Sequence, residues 1–126
     1  MVTFDEFLAL GLSLPQTAER PTWGELTLRV GEKMFAVGAE GSDSVSIKAS
    51  PADQAELLAA APQVYSKAPY VGRFGWVRVR LDLADPEELR DLVTEAWRRT
   101  APKKLVREFD AAQPSNGRRP GDSSAL

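Results

Sequence analysis

Lys67-Ala68-Pro69-Tyr70-Val71-Gly72-Arg73-Phe74-Gly75-Trp76 packs three aromatics, two cations and two glycines into one stretch with no acid. Cations contact phosphates, aromatics stack on exposed bases, and glycines let a ligand or a backbone approach closely. Loops are also where binding residues concentrate. The same composition equally suits a loop pinned by inward-facing aromatics, with glycines needed only for turning. A second candidate surface is the polar side of the predicted strands: Thr27, Arg29, Ser44, Ser46, Lys48, Trp76, Arg78 and Arg80. Any one-sided antiparallel sheet carries such a solvated face, and Trp76 could simply cover a core edge. A third is Arg98, Arg99, Lys103, Lys104 and Arg107, five cations with no acid between them. They suit a phosphate-tracking patch, or a helix end whose dipole favours cations.

Other chemistries lack their residues. The chain has no Cys and no His, which removes disulfides, thiolates, the commonest general base and the commonest transition-metal ligand. No G-x-S-x-G elbow occurs, and a serine triad of the usual kind needs histidine. Carboxylates could still bind magnesium or calcium, but no calcium-loop spacing appears. The pairs Asp5/Glu6 and Glu87/Glu88 stand at helix starts, where capping accounts for them. Gly72-Arg73-Phe74-Gly75 is too short for a dinucleotide fingerprint and precedes a strand. The expectation is a non-enzymatic chain without metal or cofactor.

The elements that would position these residues form one domain. With 126 residues, 43% hydrophobic and 27% charged, the chain is long enough to bury a core. Its net charge of −2 argues against strong non-specific polyanion binding. The balance is uneven: residues 1–63 hold four Lys/Arg against nine Asp/Glu, residues 64–126 twelve against nine. No apolar run approaches the roughly 20 residues that span a bilayer. Early acids at Asp5 and Glu6 do not suit a signal peptide, so the expected location is cytoplasmic.

Thr3-Phe4-Asp5-Glu6 is a capping box opening a helix over about residues 3–11, with Phe4, Phe7 and Leu8 at helical spacing and Gly11 as C-cap. A turn-rich connection from Leu14-Pro15 to Pro21 leads to Trp23-Gly24. Three alternating runs follow, carrying Leu26/Leu28/Val30, Phe35/Val37 and Val45/Ile47, with turns at Gly31-Glu32 and Gly41-Ser42-Asp43. Ser50-Pro51 opens a second helix with Ala55, Leu58 and Ala61 inward, ended by Pro62. A loop from Pro62 to Gly75 precedes a strand over Trp76–Leu83, with Val77, Val79, Leu81 and Leu83 on one face. Asp85-Pro86-Glu87-Glu88 starts the third helix, whose stripe is Leu89, Leu92, Val93, Ala96 and Trp97. Pro102 interrupts it, Lys103 to Phe109 form a further short helix, and from Asp110 the chain reads as a disordered tail.

This ordered set resembles the MmcQ/YjbR family of small bacterial proteins. The residues that carry the likeness are Trp23-Gly24, Leu28-Arg29-Val30-Gly31-Glu32-Lys33-Met34-Phe35-Ala36, Val45-Ser46-Ile47-Lys48, Ala68-Pro69-Tyr70, Gly72-Arg73-Phe74-Gly75-Trp76-Val77 and Ala101-Pro102-Lys103-Lys104. They span roughly residues 2–108. Trp97 departs from the tyrosine more usual in the family. The resemblance implies a frataxin (CyaY-like) α+β fold and carries a DNA-binding label that rests on fold analogy. Frataxin-type iron handling needs an acidic ridge on the first helix, and Asp5 and Glu6 do not supply one.

The expectations are therefore an α+β domain over residues 1–109, with helices on one face of a four- to five-stranded antiparallel sheet, and a tail over 110–126. The expected function is DNA binding, weak and salt-dependent, through Lys48, Lys67, Tyr70, Arg73, Trp76, Arg78, Arg80, Lys103 and Lys104. The alternative is a module for a protein or small-molecule partner. No membrane contact is expected, and the chain is expected to be monomeric.

Overall fold

Thr3 begins the first helix as its residue types require. Its side chain accepts from the Glu6 amide and Glu6 Oε1 accepts from the Thr3 amide, closing the capping box on α1 (Phe4–Leu12). This computed structural model describes residues 2–22 and 24–112. The helix runs through Gly11 rather than ending there. A Cβ on Gly11 would lie 2.4 Å from Leu28 Cδ1, so its role is close approach to the sheet, and Ser13 is the C-cap.

Six strands follow, with one α-helix among them: β1 (Thr17–Thr22), β2 (Glu25–Val30), β3 (Lys33–Gly38), β4 (Ser44–Ile47), α2 (Pro51–Ala60), β5 (Tyr65–Lys67) and β6 (Val77–Arg80). The chain then forms α3 (Pro86–Thr100) and α4 (Lys103–Ala112). The sheet order is β1-β2-β3-β4-β6-β5, antiparallel throughout. The α+β class holds with more strands than expected. Both additions are edge strands. β1 replaces the turn-rich connection and has no apolar alternation, because it adds through backbone bonds to β2. β5 lies inside the expected loop and is only three residues long. Short or polar edges of this kind also discourage pairing with another chain.

Leu28, Ala36, Val45, Ile47, Val77 and Val79 form the covered sheet face, and Leu89, Val93, Ala96 and Trp97 of α3 join them in one core. Trp97 donates through Nε1 to the Pro15 carbonyl at 3.0 Å, which satisfies its polar atom inside that core. Several side chains depart from simple alternation. Phe35 and Ala36 are both fully buried because Leu28 pairs with Ala36 while Arg29 pairs with Met34, leaving Phe35 as an extra residue in a bulge. Val37 is therefore turned to the other face and only half-buried. β6 stops at Arg80, and Leu83, expected inward, is 47% exposed in the turn beyond it. On α2, Gln54 is the buried residue and Ala55 is exposed.

The fourth helix passes the expected boundary at Phe109. Phe109 packs against Trp97 with centroids 4.9 Å apart and the rings tilted by 58°, and Asp110 takes the Arg98 guanidinium. The remaining expected tail, residues 113–126, and the Trp23 of the Trp23-Gly24 pair lie outside the described residues. Among the described residues, no helix is long and apolar enough to cross a membrane.

Candidate nucleic-acid interface

The pleat turns alternate residues of every strand away from the helices, and pairing aligns them into rows. One row crosses all six strands: Arg20, Thr27, Val37, Ser46, Arg78 and Ser66. Arg78 is exposed between Ser46 and Ser66 and makes no side-chain hydrogen bond or ion pair among the described residues. Two other arginines on this face are already engaged. Arg29 donates to Thr27 Oγ1 at 3.0 Å and to the Glu32 carbonyl at 3.1 Å. Arg80 forks onto Asp82 at 3.1 and 2.7 Å, and that hydrogen-bonded pair holds the Asp82 carboxyl below its ordinary range. Thr27 and Ser44 are buried rather than open. The Thr27 hydroxyl donates to the Arg20 carbonyl and that of Ser44 to Asp43.

Trp76 must be moved from the open face. It is 7% exposed, so it offers no ring for a base to stack on. Its carbonyl instead helps set the loop. Gln54 Nε2 donates to the carbonyls of Gly72 and Trp76, both at 2.8 Å, fixing the two ends of the segment that carries Arg73 and Phe74. Gly75 sits at φ +105°, and a Cβ there would come within 2.6 Å of the Ser50 carbonyl carbon. Between these anchors the loop turns outward. Tyr70 adopts φ 64° in a tight turn closed by Val71 N donating to the Pro69 carbonyl at 2.6 Å. Its ring is 94% exposed, and Phe74 is 60% exposed beneath the Arg73 guanidinium, 4.9 Å from the ring centroid. A rigid base thus presents two aromatic faces and one cation to solvent.

The loop and the open face meet at a hollow of about 170 Å³ whose lining includes Glu25, Val37, Ser44, Ser46, Pro69 and Arg78. Glu25, Val37 and Pro69 carry no chemical signature in the sequence. Only the sheet order, which places β2, β3, β4 and β6 side by side, brings them to Arg78.

The remaining predicted residues are dispersed. Lys48 follows Ile47 and continues the Ser46 side of β4. Lys67 pairs with Val77, at the root of the loop and on the side of β5 opposite Ser66, where a Cβ on Gly72 would lie 3.0 Å from the Lys67 Cβ. Lys103 and Lys104 are exposed at the head of α4, carried by the helical layer through Trp97–Phe109. Two of their expected neighbours are paired, Arg98 with Glu95 and Asp110 and Arg99 with Asp53, while Arg107 is exposed. The basic patch around α3 and α4 is therefore thinner than its sequence. Among the described residues, no group of three or more potential ligands is placed to hold a metal ion.

Comparison with known proteins agrees with this architecture. The YjbR family model matches residues 12–99. The chain is 32% identical to uncharacterised proteins of Mycobacterium bovis and Mycobacterium tuberculosis over 129 aligned positions, covering 86% of this chain and 96% of each relative. Its fold is similar to the crystal structure of Deinococcus radiodurans protein DR2400, a DUF419-domain protein. The TM-score is 0.71, with 26% identity and 77% of both chains covered.

Proposed function

Starting from the fact that the chain belongs to the YjbR family, we propose that it is a non-enzymatic module that binds nucleic acid. Phosphates are met by Arg78, Arg73 and Lys48, and bases by the projecting rings of Tyr70 and Phe74, while Lys67, paired with the buried Val77, stands on the opposite side of the sheet. The observation that carries this reading is the exposed Arg78 guanidinium, unpaired among the described residues on the sheet face opposite the core, together with a Gln54-anchored loop that bears two exposed aromatics. An arginine free of internal acids gains most from a phosphate, and an exposed ring gains from a base face regardless of sequence. Arg80 contributes less, because a phosphate must compete with Asp82. The composition supports the absence of catalysis, since neither histidine nor cysteine is available.

Fluorescence anisotropy with labelled duplex DNA, single-stranded DNA and RNA, at low and near-physiological salt, tests the proposal. Binding that weakens steeply with salt is expected, because each neutralised phosphate releases counterions. No binding at low salt overturns it. Tyr70 and Phe74 would then be read as contacts for a protein partner, which binds through apolar area and survives salt.

A further inference from the structure

The hollow beneath Pro69 differs from the rest of the open face, because its two charged walls have opposite sign. Arg78 supplies donors only, and Glu25, when ionised, supplies acceptors only. Neither side chain makes a hydrogen bond or ion pair among the described residues, although they share one lining. Ser46 adds a hydroxyl that can donate or accept, and Val37 provides an apolar floor. At about 170 Å³ the space is below the roughly 300–1,000 Å³ of clefts that engulf a whole drug-sized ligand. It suits one small ring held at its edge.

From this arrangement we infer that the hollow is a pocket for a single unpaired base bearing an exocyclic amine, cytosine before the others. The inference rests on the nucleic-acid reading above and deepens it. A cytosine amine donates, matching the Glu25 carboxylate, while its ring nitrogen and carbonyl accept, matching Arg78 and Ser46. Thymine and uracil place a carbonyl where cytosine has its amine, and an acceptor facing a carboxylate is repelled. A duplex is excluded because its base edges are already paired, so entry requires an unstacked base. The rim agrees with a single strand. Tyr70 follows Pro69 directly, and its exposed ring is placed to stack the next base while the backbone passes the Arg73 cation.

The test is anisotropy with labelled dC12, dT12 and a 12-bp duplex, using the wild-type chain, Glu25→Gln and Arg78→Gln. Both positions are exposed, and an unchanged melting temperature confirms that the variants fold. Expected results are roughly tenfold tighter binding of dC12 than of dT12, and weaker binding of the duplex than of dC12. Glu25→Gln should bring dC12 and dT12 together, because an amide both donates and accepts. Arg78→Gln should weaken both. Equal salt-sensitive binding of dC12 and dT12, or a cytosine preference untouched by Glu25→Gln, overturns the pocket and leaves the phosphate-binding reading standing. Duplex binding as tight as dC12 does the same. No binding of any oligonucleotide at low salt removes the nucleic-acid reading and the pocket with it.

Discussion

Gln54 donates to the Trp76 carbonyl at 2.8 Å across 22 residues of chain, and this contact ties α2 to the foot of β6. The same nitrogen donates to Gly72. A buried amide that meets two main-chain acceptors holds a loop that otherwise projects into water. Gln54→Leu should remove both bonds, leave two carbonyls without that donor, and lower stability by about 2–3 kcal/mol. Urea unfolding measures it, and a loss under about 0.5 kcal/mol would show that the loop is held by something else.

Gly75 and Gly31 separate two costs of a side chain at positive φ. Both lie in that region, at 105° and 64°, but only at Gly75 would a Cβ strike backbone, at Ser50 and Pro51. Gly31→Ala is expected to cost about 1 kcal/mol from conformation alone. Gly75→Ala should cost at least about twice that and shift the amide signals of residues 67–76. Equal losses from the two substitutions would contradict the close packing of the loop on α2.

The buried Tyr65 hydroxyl donates to Glu88 Oε1 at 2.9 Å, and burial, then that bond, raises its pKa well above the ordinary tyrosine value of about 10. A group whose pKa is raised on folding contributes stability fully below its unfolded pKa and loses it as pH rises towards the folded value. Wild-type stability should therefore fall from about pH 10 upward. Tyr65→Phe should cost about 0.5–1.5 kcal/mol at pH 7 and show a shallower alkaline decline. Thermal unfolding at pH 7, 9 and 10.5 compares the two, and parallel curves would refute the linkage.

Phe109 against Trp97 is the aromatic contact of α4 with α3, beside Leu105 and Val106, which also pack on the core. Phe109→Ala should leave the sheet intact but free the last helix, with a loss of about 1–3 kcal/mol given its partial burial. Hydrogen exchange should accelerate at residues 103–112 and not at β4 or β6. Protection of α4 unchanged by the substitution would assign the seam between α3 and α4 to Arg98 with Asp110 and to Leu105 and Val106 instead.

Arg78 and Arg80 are alike in sequence but not in surroundings, so their contributions to nucleic-acid binding should differ. Charge reversal Arg78→Glu should abolish measurable binding at near-physiological salt, whereas Arg80→Glu should weaken it less, since Asp82 already occupies that guanidinium. Neutral Arg78→Gln should lower the salt slope by about one phosphate contact. Equal affinities for the two reversed variants would move the interface away from the centre of the sheet.

Residue order alone determined the fold class, the helix starts and the candidate loop. Thr3 with Glu6, Ser50 with Pro51 and Asp85 with Pro86 are local capping chemistry, and the Val77–Arg80 alternation is local pleat geometry, so neither needs a distant partner to be legible. Tertiary structure decided what depends on which strands become neighbours. β1 is a strand because β2 offers it a backbone ladder, not because Thr17–Thr22 alternates. Phe35 is buried because of a bulge that appears only when β2 and β3 pair. Trp76 and Arg78 are two residues apart on a nominal polar face, yet only packing shows that one is buried and the other exposed. Glu25 and Pro69, 44 positions apart in the chain, meet Arg78 at one hollow because hydrogen bonding between strands sets distances that spacing along the chain does not encode.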